Sequence, residues 1–184
     1  MLHRHARPAV AGAFLIGSLG GALTTSTGLL LLSGLVSPVP TSLRALAAIL
    51  ALALLGVHQA GILRLPLPQR AHQIPREVFH RSPTAAARRF AYELGTGVRT
   101  YITTAAAYGV ATVLVLAPPA SLGAAILGSL AAGVGFGIGR SMVVLSHAWR
   151  KRVAVDHPTP WLQLAAWCSL LGSASIALRA LLGT

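Results

Sequence analysis

Five long apolar stretches constrain what this chain can fold into more than any other feature. They comprise residues 9–36, 43–63, 100–117, 122–147 and 161–182. A helix needs about 20 apolar residues to cross the hydrocarbon core of a bilayer, and within lipid only helices or closed barrels satisfy the backbone. The stretches are too continuous for barrel strands, which alternate in polarity. The sequence therefore predicts an all-α, polytopic membrane protein in which five transmembrane helices form a single domain over residues 1–184.

The charge content supports the same class. Only 10% of the 184 residues are charged, whereas soluble domains have about 25%, so the chain cannot cover a globule with mixed charge. Its hydrophobic content of 54% excludes intrinsic disorder. The net charge of +12 comes from basic residues that flank the apolar stretches. We therefore expect membrane lipids with anionic headgroups as partners at the cytoplasmic face, rather than nucleic acid.

The distribution of Lys and Arg predicts the orientation of the chain. If the amino terminus is cytoplasmic, every Lys and Arg except Arg44 and Arg179 lies on the cytoplasmic side, as the positive-inside rule requires. The predicted location is the bacterial inner membrane, with the carboxyl terminus outside.

The longest polar connection, residues 64–99, contains a predicted short helix. Ser82-Pro83 has the pattern of an N-cap followed by proline at the first helical position, and residues 84–94 favour a helix that Gly95-Thr96-Gly97 ends. We expect this helix to lie on the cytoplasmic headgroups. The candidates for contact with an anion or a lipid headgroup are Arg88, Arg89 and Arg99. Alternatively, these arginines snorkel to the interface without a specific ligand.

Small residues recur at helical spacing and predict close contact between helices. Apolar side chains gain little by leaving lipid for protein, so membrane helices associate where glycines let their backbones approach. The glycines with this spacing are Gly17, Gly21, Gly28, Gly133, Gly135, Gly137 and Gly139. They serve either packing within the chain or a homo- or hetero-oligomer, and the sequence leaves both open.

Polar residues inside the apolar stretches are further functional candidates. Thr24, Thr25, Ser26 and Thr27 lie in the first stretch, and Arg140 lies in the fourth. If these side chains line one polar cavity, they indicate a path for a solute, because polar groups within the hydrocarbon are costly. Alternatively, each hydroxyl donates to the carbonyl four residues earlier in its own helix and binds no ligand.

Histidine and cysteine give weaker indications of a site. His58 and His147 lie near the cytoplasmic ends of the second and fourth stretches, where they would ligate haem iron or a metal if they met. The alternative is an ordinary position at the headgroups. Cys168 is the one cysteine, so an internal disulfide and a thiol relay are excluded. We predict no metal and no cofactor, with haem as the alternative.

Two parts of the chain resemble known membrane proteins. Residues 73–78 with 90–101, and Gly135-Phe136-Gly137-Ile138-Gly139-Arg140, are similar to segments of uncharacterised multi-pass membrane proteins of GC-rich actinobacteria. That resemblance implies a membrane location and no activity. A looser similarity is to small-residue-rich membrane carriers of thiol-disulfide electrons, but the paired cysteines of those carriers are absent here.

The sequence predicts a membrane protein without catalytic activity. Its acidic residues are Glu77, Glu93 and Asp156, and they form neither a carboxylate pair nor part of a metal-ligand cluster. No serine lies in a GxSxG elbow. The expected function is a small transporter-like module or an accessory or scaffold subunit of a membrane complex. The alternative is a haem- or quinone-linked redox protein that uses the intramembrane histidines.

Overall fold

A computed structural model describes residues 6–67, 82–97, 105–150 and 160–182. Within α5, side chains are described only up to Leu145. The regular elements of the described residues are all α-helices, which confirms the predicted fold class. They are α1 (Ala6–Val36), α2 (Thr41–Gln59), α3 (Pro83–Gly95), α4 (Ala106–Leu116), α5 (Leu122–Arg150) and α6 (Pro160–Leu182).

Four of these helices are long and apolar enough to cross a membrane. Their apolar parts are Pro8–Val36, Thr41–Gln59, Leu122–Leu145 and Gln163–Leu182. Four such helices in one chain are the pattern of a multi-pass membrane protein, as the sequence predicts. The second helix ends earlier than the apolar run 43–63, because Gly61 adopts a positive φ of 76° and closes the helix as a C-terminal glycine does.

The predicted third span is not supported as a continuous helix. The sequence predicts a helix over residues 100–117, whereas α4 covers Ala106–Leu116, which is 11 residues; residues 100–104 lie outside the described part. At 1.5 Å per residue such a helix is about 16 Å long, roughly half the hydrocarbon thickness. Its end is set by Pro118-Pro119, since proline cannot continue the hydrogen-bond ladder. The described residues therefore contain four helices long enough to span a membrane, and the predicted count of five such helices is not supported.

The helices pack as two compact units. The first unit contains α1 up to Thr25, α3, and α5 from Ala131 onward. Its core is formed by Phe14, Ala91 and Leu94, and the ring centroids of Phe14 and Phe90 are 6.1 Å apart. The second unit contains the rest of α1, the first part of α5, and α2, α4 and α6. The prediction of one domain over residues 1–184 stays a prediction.

The second unit is built on contacts among α2, α4 and α6. Its core comprises Ala48, Leu52, Leu55, Ala105, Leu170 and Ala177. One face of α6 is buried at helical spacing, through Ala166, Leu170, Ser173 and Ala177. This core of alanine and leucine side chains holds the short helix α4 against two long neighbours.

Polar side chains at both ends of α2 hold the two ends of α4. Gln59 accepts a hydrogen bond on Oε1 from the backbone N–H of Ala105, at 2.8 Å. Arg44 donates through Nη2 to the carbonyl of Val115, at 3.3 Å. Since the end of α2 meets the start of α4, and the start of α2 meets the end of α4, the two helices are antiparallel.

A shallow apolar cleft in the second unit fixes the direction of its other helices. It is lined by Leu30 and Ser33 near the end of α1, by the last turn of α4, by Ala125 near the start of α5, and by Ile176 in the last third of α6. The ends of α1, α4 and α6 therefore lie together with the start of α5. It follows that α4 and α6 run in the same direction as α1.

Candidate functional site

The short helix α3 begins and ends through local signals that the sequence contains. Ser82 is its N-cap, and the Ser82 hydroxyl accepts from the backbone N–H of Ala85 at 3.4 Å, with Pro83 at the first helical position. At the other end Thr96 N–H donates to the Tyr92 carbonyl at 3.0 Å, and Gly97 adopts a φ of 67°. The predicted helix and its N-cap are confirmed.

The helix α3 lies directly against α1 with no side chains between the two backbones. A Cβ atom added to Gly17 would overlap the carbonyl oxygen of Arg88, and one added to Gly21 would overlap that of Tyr92. In the same way, a Cβ on Gly95 would overlap the carbonyl of Ser18. Because 17 meets 88 and 21 meets 92, the two helices are parallel. Close approach of this kind is how small residues join membrane helices.

Hydroxyl groups of α1 and α3 satisfy the backbone where α3 ends. Thr25 donates through Oγ1 to the carbonyl of Thr96 at 2.9 Å. Thr96 donates through its own Oγ1 to the carbonyl of Glu93 at 2.8 Å. Helix ends leave carbonyl groups without intrahelical donors, and in lipid no water replaces those donors. The threonines therefore make the end of α3 compatible with a buried position.

A second contact of α1 in this unit is with α5. The Ser18 hydroxyl, which is fully buried, donates to the Gly137 carbonyl at 3.0 Å. The Ser141 hydroxyl donates to the same carbonyl at 2.8 Å. A Cβ added to Gly137 would lie 3.1 Å from the Cα of Leu19, which is tighter than ordinary packing allows. Ser18 was not among the residues singled out from the sequence, although its place beside Gly17 on a small face was a usable signal.

The structure separates the seven candidate packing glycines into two groups. Gly17, Gly21 and Gly137 face neighbouring helices in close contact, and Gly133 is buried. A Cβ on any of the other three would meet nothing within 4 Å; these are Gly28, Gly135 and Gly139. The use of the glycines for packing or for an oligomer stays a prediction. The first group suits packing within the chain, and the second group suits contact with another helix.

The polar residues in the middle of α1 point in different directions. Thr24 and Thr27 are exposed, Thr25 is half-buried, and Ser26 is buried. Thr24 donates to the Gly20 carbonyl at 2.8 Å, and its hydroxyl also lies 3.1 Å from that of Tyr92 on α3.

Arg140, the fifth residue of the predicted polar cavity, has its guanidinium carbon 5.7 Å from the centroid of the Phe136 ring. This is the geometry of a cation–π contact. A cavity shared by Arg140 and the four hydroxyl residues stays a prediction.

The arginines of α3 lie on its exposed side. Arg88 and Arg89 are both exposed. The Nε of Arg89 is 3.9 Å from a carboxylate oxygen of Glu93, and the two side chains are 56% and 13% exposed. This distance exceeds that of a hydrogen bond, so the pair is loose. The third candidate, Arg99, lies outside the described residues.

Only one of the two candidate histidines, His58, has a described side chain. The Nδ1 of His58 accepts from the backbone N–H of Leu65 at 3.1 Å and lies 3.1 Å from the carbonyl of Leu63, so this ring atom orders the turn after α2. The side chain of His147 lies outside the described residues. Among the residues described, no group of three His, Cys, Asp or Glu side chains could hold a metal ion. The haem alternative stays a prediction.

Comparison with known proteins finds a similarity that covers part of the chain. The chain is 36% identical over 114 residues to the methylamine utilization protein MauF of Methylorubrum extorquens. The aligned part is 61% of this chain and 39% of that protein, so the chain spans about two fifths of the relative's length. No family model matches the chain, and no solved structure matches it. The resemblance to actinobacterial membrane proteins stays a prediction.

Proposed function

We propose that this polytopic membrane protein is a small transporter-like module of the bacterial inner membrane, with its amino terminus in the cytoplasm. In this proposal the end of α3, which Thr25 of α1 binds, lies within the membrane beside a water-filled path. The protein has no catalytic step, and the solute passes beside this helix end. The alternative role as an accessory subunit is considered after the transport proposal.

The observation that supports transport most is the contact between the end of α3 and the middle of α1. The apolar part of α1 covers Pro8–Val36, and Thr25 lies near its middle. The Thr96 carbonyl at the end of α3 accepts a hydrogen bond from Thr25. Within the hydrocarbon, backbone that leaves a helix is tolerated only inside protein or beside a water-filled cavity. Helix ends at such a level form the substrate sites of many transporters.

The distribution of basic residues supports the proposed orientation. With the amino terminus in the cytoplasm and the carboxyl terminus outside, every Lys and Arg except Arg44 and Arg179 lies on the cytoplasmic side, as the positive-inside rule leads us to expect. In this orientation the chain crosses the membrane an odd number of times.

Cysteine accessibility tests the transport proposal. In a Cys168→Ser background, Thr24→Cys places a thiol on the exposed polar side of α1, and Leu130→Cys places one on an exposed apolar position of α5. A charged, membrane-impermeant thiol reagent should modify position 24, because water reaches the end of α3, and should leave position 130 unmodified. Equal absence of modification at both positions would reject a water-filled path.

A specific observation favours an accessory or scaffold subunit as the second candidate. Gly28, Gly135 and Gly139 have open space where a side chain would be, and small residues on a lipid-facing side are what another membrane helix needs. Under this alternative, Gly135→Leu with Gly139→Leu abolishes a homo- or hetero-oligomer in cross-linking of native membranes. Under the transport proposal the same variant retains its oligomeric state, while modification at position 24 persists.

A further inference from the structure

The first half of α3 presents two positive charges on its surface. Arg88 and Arg89 are exposed, and the side chain of Arg89 is 56% exposed although it lies near Glu93. Two consecutive exposed arginines offer several N–H donors, and the planar guanidinium group suits phosphate. The pair is therefore a candidate for recognition of a phosphate-bearing ligand.

The contact with α1 places this pair beside the first half of the apolar part of α1. The Arg88 carbonyl lies against Gly17, and that apolar part covers Pro8–Val36. From this half a long arginine side chain can extend to the lipid phosphates on the amino-terminal side. Arginine reaches such a level readily, with its apolar stem beside the acyl chains and its charge in the headgroups.

The opposite face of α3 fixes the direction in which the arginines point. Ala86 and Ala91 are buried, at 5% and 0% exposure, and the Gly17 and Gly21 contacts leave no room for α3 to rotate. The backbone that carries the two arginines is consequently held in one orientation. A fixed backbone lowers the entropic cost of binding.

We propose that Arg88 and Arg89 form a binding site for the phosphate of an anionic phospholipid in the cytoplasmic leaflet. The site goes beyond the transport proposal, and it shares with it only the orientation that places the amino terminus in the cytoplasm. A free phosphate ion has the same chemistry, but the level of the pair and its exposure beside α1 favour a lipid. Phosphatidylglycerol is the probe that represents this class.

Glu93 gives the site a signature that a structural ion pair would lack. Its carboxylate, 3.9 Å from Arg89, repels a phosphate bound to the arginines. Removal of this negative charge by Glu93→Gln should therefore strengthen lipid binding, while Arg89→Gln should weaken it. If the ion pair of Arg89 and Glu93 only stabilised α3, Glu93→Gln and Arg89→Gln would have the same effect on lipid binding.

Native mass spectrometry of the full chain in detergent, titrated with phosphatidylglycerol or phosphatidylcholine, tests the site. Each lost arginine should lower the affinity for phosphatidylglycerol about fivefold, so that Arg88→Gln with Arg89→Gln lowers it about 30-fold and leaves phosphatidylcholine unaffected. Arg179→Gln is the matched control, because it removes one exposed positive charge from α6. It should change the affinity less than twofold, and Glu93→Gln should raise it.

Three results would overturn the proposal. One is an equal loss of affinity in Arg179→Gln and Arg88→Gln, which would show that net charge alone attracts the lipid. Another is weaker binding in Glu93→Gln at an unchanged melting temperature. The third is full displacement of the lipid by millimolar inorganic phosphate, which would identify a soluble anion as the ligand.

Discussion

The two units of this protein join their helices by different means. In the first unit α1 and α3 meet backbone to backbone, and the contact residues are Gly17, Gly21 and Gly95. In the second unit α2, α4 and α6 meet through side chains such as Leu52 and Leu170. A Cβ can be accommodated only where side chains separate the helices. The difference teaches that the position of α3 depends on glycines at the contact, whereas the position of α4 depends on the size of the side chains packed against it.

In both units a side chain of a neighbouring helix donates a hydrogen bond to a carbonyl group at a helix end. In the first unit, Thr25 donates to the Thr96 carbonyl beyond α3. In the second, Arg44 donates to the Val115 carbonyl at the end of α4. The latter carbonyl would ordinarily bond to the N–H four residues later, but that residue is Pro119, which has none. The buried arginine, 4% exposed, takes the place of the missing donor.

The largest effect is expected from an added methyl group between α1 and α3. Gly21→Ala would place its Cβ against the backbone carbonyl of Tyr92, and neither helix can move without losing other contacts. We expect a loss of about 3 kcal/mol in unfolding free energy. Gly28→Ala is the matched control, because its Cβ meets nothing while helix propensity improves equally in both variants. Equal melting temperatures in detergent would remove the distinction between the units.

The next effect concerns the capped end of α4. Arg44→Leu leaves the Val115 carbonyl without its donor, and we expect a loss of about 2 kcal/mol in unfolding free energy. Arg44→Lys keeps a donor at this position and should lose only about 1 kcal/mol. Thermal unfolding of the two variants beside the unchanged protein measures both losses. Equal losses in the two variants would contradict the account of Arg44.

Two glycines of α5 allow a smaller and sharper comparison. Gly137→Ala brings a Cβ to 3.1 Å from the Leu19 Cα and should cost about 1 kcal/mol. Gly135→Ala adds a Cβ in open space and should be neutral or slightly stabilising, because alanine favours the helix. Detergent melting curves distinguish the two. A loss of stability only in the Gly135 variant would mean that Gly135, and not Gly137, lies on the packed face of α5, and would contradict the account.

The smallest effect is expected from the hydroxyl that meets the end of α3. Thr25→Val keeps the shape of the side chain and removes its bond to the Thr96 carbonyl, at a cost of about 1 kcal/mol. Thr27→Val, at an exposed position of the same helix, should change stability by less than about 0.5 kcal/mol. If hydrogen exchange at residues 94–97 is equally fast in both variants, Thr25 does not hold this end.

Local signals in the sequence were sufficient to predict the helices but not which helices pack against each other. The cap at Ser82 and the glycines after Leu94 set α3 within a residue of its predicted bounds. The long apolar runs predicted four long helices, of which α2 ends four residues before its run because of Gly61. In the third run the end near Pro118-Pro119 agrees with the prediction, whereas the described helix begins only at Ala106. The contacts of α3 with α1 could not be predicted from local signals.

The faces of the small-residue stripes could not be assigned from spacing. The glycines of residues 133–139 alternate, so they occupy two sides of α5, and either side suited close packing. Contacts with Leu19 select Gly137 and leave Gly135 open. Arg44 was expected simply to flank a span, but the absence of N–H groups at Pro118 and Pro119 was a signal that the end of α4 needed an outside donor.

The location of the carboxyl terminus tests the central claim, an inside amino terminus with an odd number of crossings, most directly. Paired fusions of alkaline phosphatase and green fluorescent protein after Thr184, with a second pair near residue 80 as an internal reference, report the side of each site. We predict active phosphatase and no fluorescence at the carboxyl terminus, with the reverse near residue 80. Fluorescence at both sites without phosphatase activity would mean that the carboxyl terminus is cytoplasmic, and would contradict the account.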